Sequence, residues 1–76
     1  MNYINKKIVI SKTIKKHMKI NNLTMKELGK KIDKGESTVA MWISGKSQPR
    51  LSTIQSLTDI FNITTDQLLY GDCEDN

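Results

Sequence analysis

The sequence predicts an all-α domain: five short helices, compactly arranged, with no convincing sheet. Three observations lead there. Apolar residues recur three and four apart along most of the chain, as in Ile10, Ile14 and Met18 or Ile54, Leu57 and Phe61. Two capping boxes, Thr24-x-x-Glu27 and Thr64-x-x-Gln67, mark helix starts by satisfying orphan N–H groups. The periodic stretches are separated only by short breakers, such as Asn21-Asn22 and Asp33-Lys34-Gly35. Seventy-six residues make one domain, near the lower limit for a self-sufficient core.

The elements follow in order. Helix 1 is expected from about Val9 to Ile20, with Ile10, Ile14, Met18 and His17 turned inward. Asn21-Asn22 ends it, because asparagine tolerates the left-handed conformation. Helix 2 is expected over 25–32, opened by Thr24 and carrying Leu28 and Ile32 on one face. Gly29, lacking a side chain, allows close approach by another helix. Helix 3 is expected over 36–44 with Val39, Trp42 and Ile43 apolar and Gly45 just beyond its last turn. Trp42 anchors the core beneath it. Helix 4 follows Pro49 with Leu51, Ile54, Leu57, Ile60 and Phe61 as its stripe, and helix 5 is short, carrying Leu68 and Leu69. Residues 1–8 are expected as an N-terminal arm, 9–71 as the folded domain and 72–76 as an acidic, frayed tail. Lys7-Ile8-Val9-Ile10 is the one strand-like run; extension of helix 1, fraying and pairing with a partner chain all fit it.

Charge is distributed unevenly. Residues 1–50 hold all twelve Lys/Arg against three acids, a balance of +9, whereas residues 51–76 hold five acids and no base, a balance of −5. A chain polarised in this way presents its first half to phosphate and turns its second half away. The abundance of Lys, Asn and Ile also fits an AT-rich genome, so not every lysine is a contact. The single cysteine, Cys73, excludes an intrachain disulfide and suits a reducing compartment. With no long apolar run and no signal-peptide pattern, the expectation is a soluble, cytoplasmic protein without a membrane partner. His17 has no cluster of ligating residues around it at metal spacing. There is no Gly-rich phosphate loop, no nucleophile–base pair and no pair of acids suited to catalysis, so neither an enzyme nor a cofactor is expected.

Residues 24–45 form two short helices around a tight turn, a helix-turn-helix. They resemble the Cro/repressor-type (XRE-like) helix-turn-helix family, and the resemblance extends from about Ile14 to Gly71. Leu23-Thr24, Glu27-Leu28, Ser37-Thr38-Val39, Trp42, Gly45-Lys46, Pro49 and Asp66-Gln67-Leu68-Leu69-Tyr70-Gly71 agree in register. The resemblance implies a lambda-repressor-like DNA-binding domain in which helix 3 enters the major groove and helix 2 spans the backbone above it. By register, Gly35, Glu36, Ser37, Thr38, Ala40 and Met41 face outward. Glu36 suits cytosine N4, Ser37 or Thr38 several bases or a phosphate, and Met41 a thymine methyl. A phosphate clamp is implied at Thr24 and at the backbone N–H groups of Gly45, Lys46 and Ser47, with charge added by Lys34, Lys46 and Arg50. The Pro49-Arg50 pair resembles relatives whose arginine enters a narrow minor groove; pairing of Arg50 with Asp59 or another acid of its own chain is the alternative.

Several positions depart from the family pattern. Met25 stands where a glutamine usually helps to clamp phosphate, and a thioether cannot donate. Asp33 replaces a common turn glycine, so a positive φ there carries a cost. Lys34 stands at a usually apolar position, where its stem covers the turn. Met18 and Ile43 stand where the family commonly has a buried Arg–Glu pair; with both charges absent together, the two side chains are expected to touch. The implied function is a sequence-specific double-stranded DNA-binding transcriptional regulator, a repressor, acting as a homodimer through Leu51, Ile63, Tyr70 and the segment around helix 5. The alternatives are an antitoxin-like DNA-binding protein that also masks a protein partner, and a protein-interaction module that has lost DNA binding.

Overall fold

A computed structural model describes residues 6–71. Five helices follow one another: α1 (Lys6–Ile20), α2 (Met25–Lys31), α3 (Glu36–Ile43), α4 (Leu51–Phe61) and α5 (Thr65–Tyr70). The described residues contain no strand. Residues 1–5 of the expected arm and the expected tail 72–76, with Cys73, lie outside them.

Both capping boxes form in full. The Glu27 N–H donates to the Thr24 hydroxyl at 3.1 Å while the Thr24 N–H donates to the Glu27 carboxylate at 2.9 Å. Gln67 and Thr64 repeat the arrangement at the start of α5 with 3.0 and 2.9 Å. The helix ends use left-handed residues: Asn22, Asp33 and Asn62 have φ of 58°, 59° and 57°, and Gly45 follows α3 with φ of 78°. Asp33 therefore takes up the conformation for which the turn glycine is suited. Asp33→Gly is expected to stabilise the domain by up to about 1 kcal/mol, the left-handed strain relieved outweighing the chain entropy added. A β-branched replacement is expected to do the opposite, and urea midpoints of the two variants check the pair.

One contiguous core joins all five helices. Ile10, Ile14 and Met18 of α1 meet Leu28 of α2, Val39 and Trp42 of α3, Ile54, Leu57 and Phe61 of α4, and Leu68 of α5. His17 is buried with them and stacks on Phe61, ring centroids 5.6 Å apart at 28°. α1 packs against both α3 and α5, while α2 packs on α3 and α4 on α5.

Three expectations about the elements need correction. α1 begins at Lys6, so residues 6–8 are helical rather than part of an arm, and the strand-like run extends the helix. The reason is tertiary: α5 lies along α1, Ile10 is buried, and Val9 lies close to Gly71 at the end of α5. Leu51 is not part of the α4 stripe but 66% exposed, because it is the first residue of that helix; Thr53 takes the inward position instead. At Gly29 the close neighbour is not another helix but the turn itself: an added Cβ would sit 2.6 Å from the Lys34 carbonyl oxygen. The Lys34 N–H donates back to the Gly29 carbonyl at 2.8 Å, which draws the turn onto α2.

Met18 and Ile43, the pair expected to touch, are brought to the same place in the fold. Met18 is buried, Ile43 is half-buried, and both line one depression between α1 and the end of α3. The buried Ser11 hydroxyl donates to the Ile43 carbonyl, so a neutral hydrogen bond ties α1 to that end of α3.

Candidate nucleic-acid interface

α3 is amphipathic across its short length. Val39 and Trp42 are buried, and the opposite face carries Glu36, Ser37 and Met41 exposed, with Thr38 and Ala40 half-buried. Ser37 and Met41 are four apart and share a face. Their separation along the axis is about 6 Å, enough to cover about two base pairs. Glu36 lies in the first turn, and Gly35, the exposed N-cap residue, supplies no side-chain cap. The start of α3 thus presents polar side chains and its helix terminus to solvent together.

Cationic groups flank this face. Lys34 is exposed in the turn before α3, and Lys46 and Arg50 are exposed after it, while Pro49 is buried and fixes the path between them. Arg50 is the N-cap of α4 and Asp59 lies near that helix's far end. About 13 Å of helix rise separates the two, which rules out the pairing of Arg50 with Asp59 as a local ion pair.

The loop amides depart from expectation. The Gly45 N–H donates to the Trp42 carbonyl at 3.1 Å, and the Lys46 and Ser47 N–H groups donate to the Met41 carbonyl at 3.0 and 3.3 Å. Closing the C-terminus of α3 consumes all three, because a helix end leaves carbonyls that need donors. Of the clamp groups expected in that loop, the exposed Lys46 side chain and the half-buried Ser47 side chain remain. The start of α4 was not singled out from sequence, yet Arg50 gives it no side-chain cap. The signal was present: neither Gly35 nor Arg50 is a Ser, Thr, Asp or Asn, so both helices begin without the residue that would occupy their first amides.

Thr24 is exposed at the start of α2 and is engaged by its capping box. Its backbone N–H and its hydroxyl both hold the Glu27 carboxyl, which lies below the usual glutamate range; Lys31 and Lys30 push the same way, and partial desolvation opposes them. A depressed folded-state pKa means that this stabilisation is complete above the ordinary value of 4.5 and is lost as the pH falls through the lower folded value. Glu27→Gln is expected to keep the box, as Gln67 does in α5, and to flatten the acid limb of the stability curve. Thermal midpoints of the two proteins between pH 7 and 3 test this; superimposable acid limbs would show that the box adds no pH dependence.

Residues 14–68 match the family described as Helix-turn-helix. The HTH-type transcriptional activator BcrR of Enterococcus faecalis is 29% identical over 51 residues, which cover 67% of this chain and 25% of that protein. The chain therefore spans about a quarter of the length of that curated relative. Among solved structures, the P22 c2 repressor in complex with a synthetic operator superposes with a TM-score of 0.79 at 20% identity, over 84% of this chain and 97% of that one. The SOS-response transcriptional repressor LexA of Eubacterium rectale superposes with a TM-score of 0.82 at 24% identity, over 100% of this chain and 84% of that one. These two share the fold. With the matched family spanning α1 to α5, the chain belongs to the helix-turn-helix family, in its Cro/repressor-type form.

Proposed function

We propose that this domain is a sequence-specific double-stranded DNA-binding transcriptional regulator, a repressor, that places α3 in the major groove. The observation that carries this reading is the exposed face of Glu36, Ser37 and Met41 over a buried Val39 and Trp42, flanked by exposed Lys34, Lys46 and Arg50. Base reading falls to Glu36, Ser37, Thr38 and Met41, with Gly35 allowing close approach. Phosphate binding falls to the start of α2 beside the capped Thr24, and to Lys34, Lys46, Ser47 and Arg50. No Arg, Asn or Gln on this face offers a bidentate contact, so discrimination per residue is modest. Two copies bound to a palindrome would place their recognition helices about 34 Å apart. Leu51 and Tyr70, each 66% exposed, and the half-buried Ile63 are the contacts proposed for that homodimer.

The experiment is a fluorescence-anisotropy titration with duplex from the gene's own upstream region and with a scrambled duplex, across a salt series. Specific binding appears as a preference for the upstream duplex, with log-linear weakening in salt. Lys46→Gln with Arg50→Gln is expected to weaken binding to both duplexes and to reduce the salt slope by about 2. Glu36→Gln with Met41→Ala is expected to change sequence preference and leave that slope in place. The same uniform loss from both pairs would refute the division into reading and clamping. No binding to either duplex at low salt would refute the function.

A further inference from the structure

We propose that the depression between α1, the start of α2 and the end of α3 is a docking groove for an acidic, amphipathic segment of a partner protein. It is an open depression of about 550 Å³. Met18, Leu23, Met25 and Ile43 make its floor, and Lys12, Lys15, Lys16 and Lys19 make its rim. No acidic residue lines it.

The two parts of this surface together determine the occupant. The lysines follow a spacing of three, four and seven residues, which is one stripe about 10 Å long on α1. A stripe of one sign attracts an anion along its length. The floor adds what a simple anion cannot use, namely apolar surface that gains from being covered. A nucleic-acid backbone would neutralise the lysines and leave the exposed parts of Leu23, Met25 and Ile43 uncovered. A helical segment with apolar anchors four apart and carboxylates beside them satisfies both parts at once. The volume accommodates more than one large apolar side chain. Two of the four floor residues are methionines, whose flexible thioethers adapt to the shape of an incoming side chain.

This surface borders Thr24 at the start of α2 and takes in Ile43 at the end of α3, but it does not use the exposed face of Glu36, Ser37 and Met41. The rim lysines lie outside the residues assigned to reading or clamping, so the two ideas fail separately.

The test uses the full chain and a synthetic helical peptide with leucines at i and i+4 flanked by glutamates. A charge-matched control carries serine in place of leucine, and the duplex titration is repeated on the same variants. The methyl resonances of Met18, Leu23, Met25 and Ile43 are expected to shift on adding the leucine peptide. Its affinity is expected to exceed that of the control by about tenfold or more, from burial of the leucines. Lys15→Gln with Lys19→Gln is expected to lower that affinity by about fivefold, the sum of two exposed ion pairs. The salt slope of duplex binding should stay unchanged in this variant. Equal affinity for the two peptides, or shifts confined to other surfaces, would overturn the groove. A fall in the duplex salt slope of about 0.9 per lysine removed would assign the stripe to DNA instead. Self-association lost in the same variant would assign it to a second copy of this chain.

Discussion

Trp42→Ala is expected to remove about 3–5 kcal/mol of folding stability, the range for truncating a large buried aromatic side chain. Small domains have only about 5–15 kcal/mol in total, so the variant should be largely unfolded well below the parent's midpoint. Trp42 is 4% exposed, and it is the large aromatic contribution of α3 to the common core. α3 has only eight residues, and a helix of that length is not stable alone in water. Its conformation therefore depends on what its inner face buries against α1 and α2. Losing that burial also releases the face of Glu36, Ser37 and Met41, so duplex binding should be lost along with the fold. Circular dichroism during urea unfolding is the suitable probe, because the chain has a single tryptophan and the substitution removes it. A loss below about 1 kcal/mol would mean that Trp42 is not a core residue.

Gly29→Ala is expected to destabilise the domain by about 1–3 kcal/mol, the usual cost of overpacking. Helix propensity alone predicts the opposite sign, since alanine is favoured over glycine by about 1 kcal/mol in a helix interior. The geometry decides between them. The new methyl would meet the Lys34 carbonyl oxygen at 2.6 Å and the Gly35 carbonyl group at 3.4 Å. Both neighbours are backbone, so neither can rotate away as a side chain would. Moving Lys34 also stretches its N–H bond to the Gly29 carbonyl, and it shifts Gly35, the N-cap residue of α3. The variant should consequently lose duplex affinity beyond what its lower stability explains. Urea unfolding and duplex titration at a temperature where the variant remains folded check both parts. A more stable variant with parent-like affinity would show that the turn does not press on α2 as described.

Much of the fold was legible because it is encoded locally. The boxes of Thr24 with Glu27 and of Thr64 with Gln67 need only four consecutive residues each, and both form as the spacing predicts. Ile10, Ile14 and Met18 are inward for the same kind of reason, since residues four apart share a helix face. Asn22 and Gly45 stop their helices with positive φ, as their residue types suggest. Asn62, the left-handed cap of α4, carries the same residue-type signal but stands alone between Phe61 and Ile63, so it marks no comparable break in the sequence.

The site was half legible. Register placed Glu36, Ser37 and Met41 on one exposed face, because a three- or four-residue repeat that buries Val39 and Trp42 must expose the positions between them. The loop amides of Gly45, Lys46 and Ser47 were misjudged, since their partners are carbonyls of Met41 and Trp42 that only a closed helix end brings within reach.

Helix identity, the two capping boxes, the polarised charge and most of the inward residues were determined by the sequence alone, since each depends on neighbours within a turn or two. The tertiary structure decided the start of α1 at Lys6, the exposure of Leu51, what lies above Gly29, and the gathering of Met18, Leu23, Met25 and Ile43 into one floor. Each of these depends on which surface of one helix meets another segment of the chain, and no spacing within a single helix carries that information.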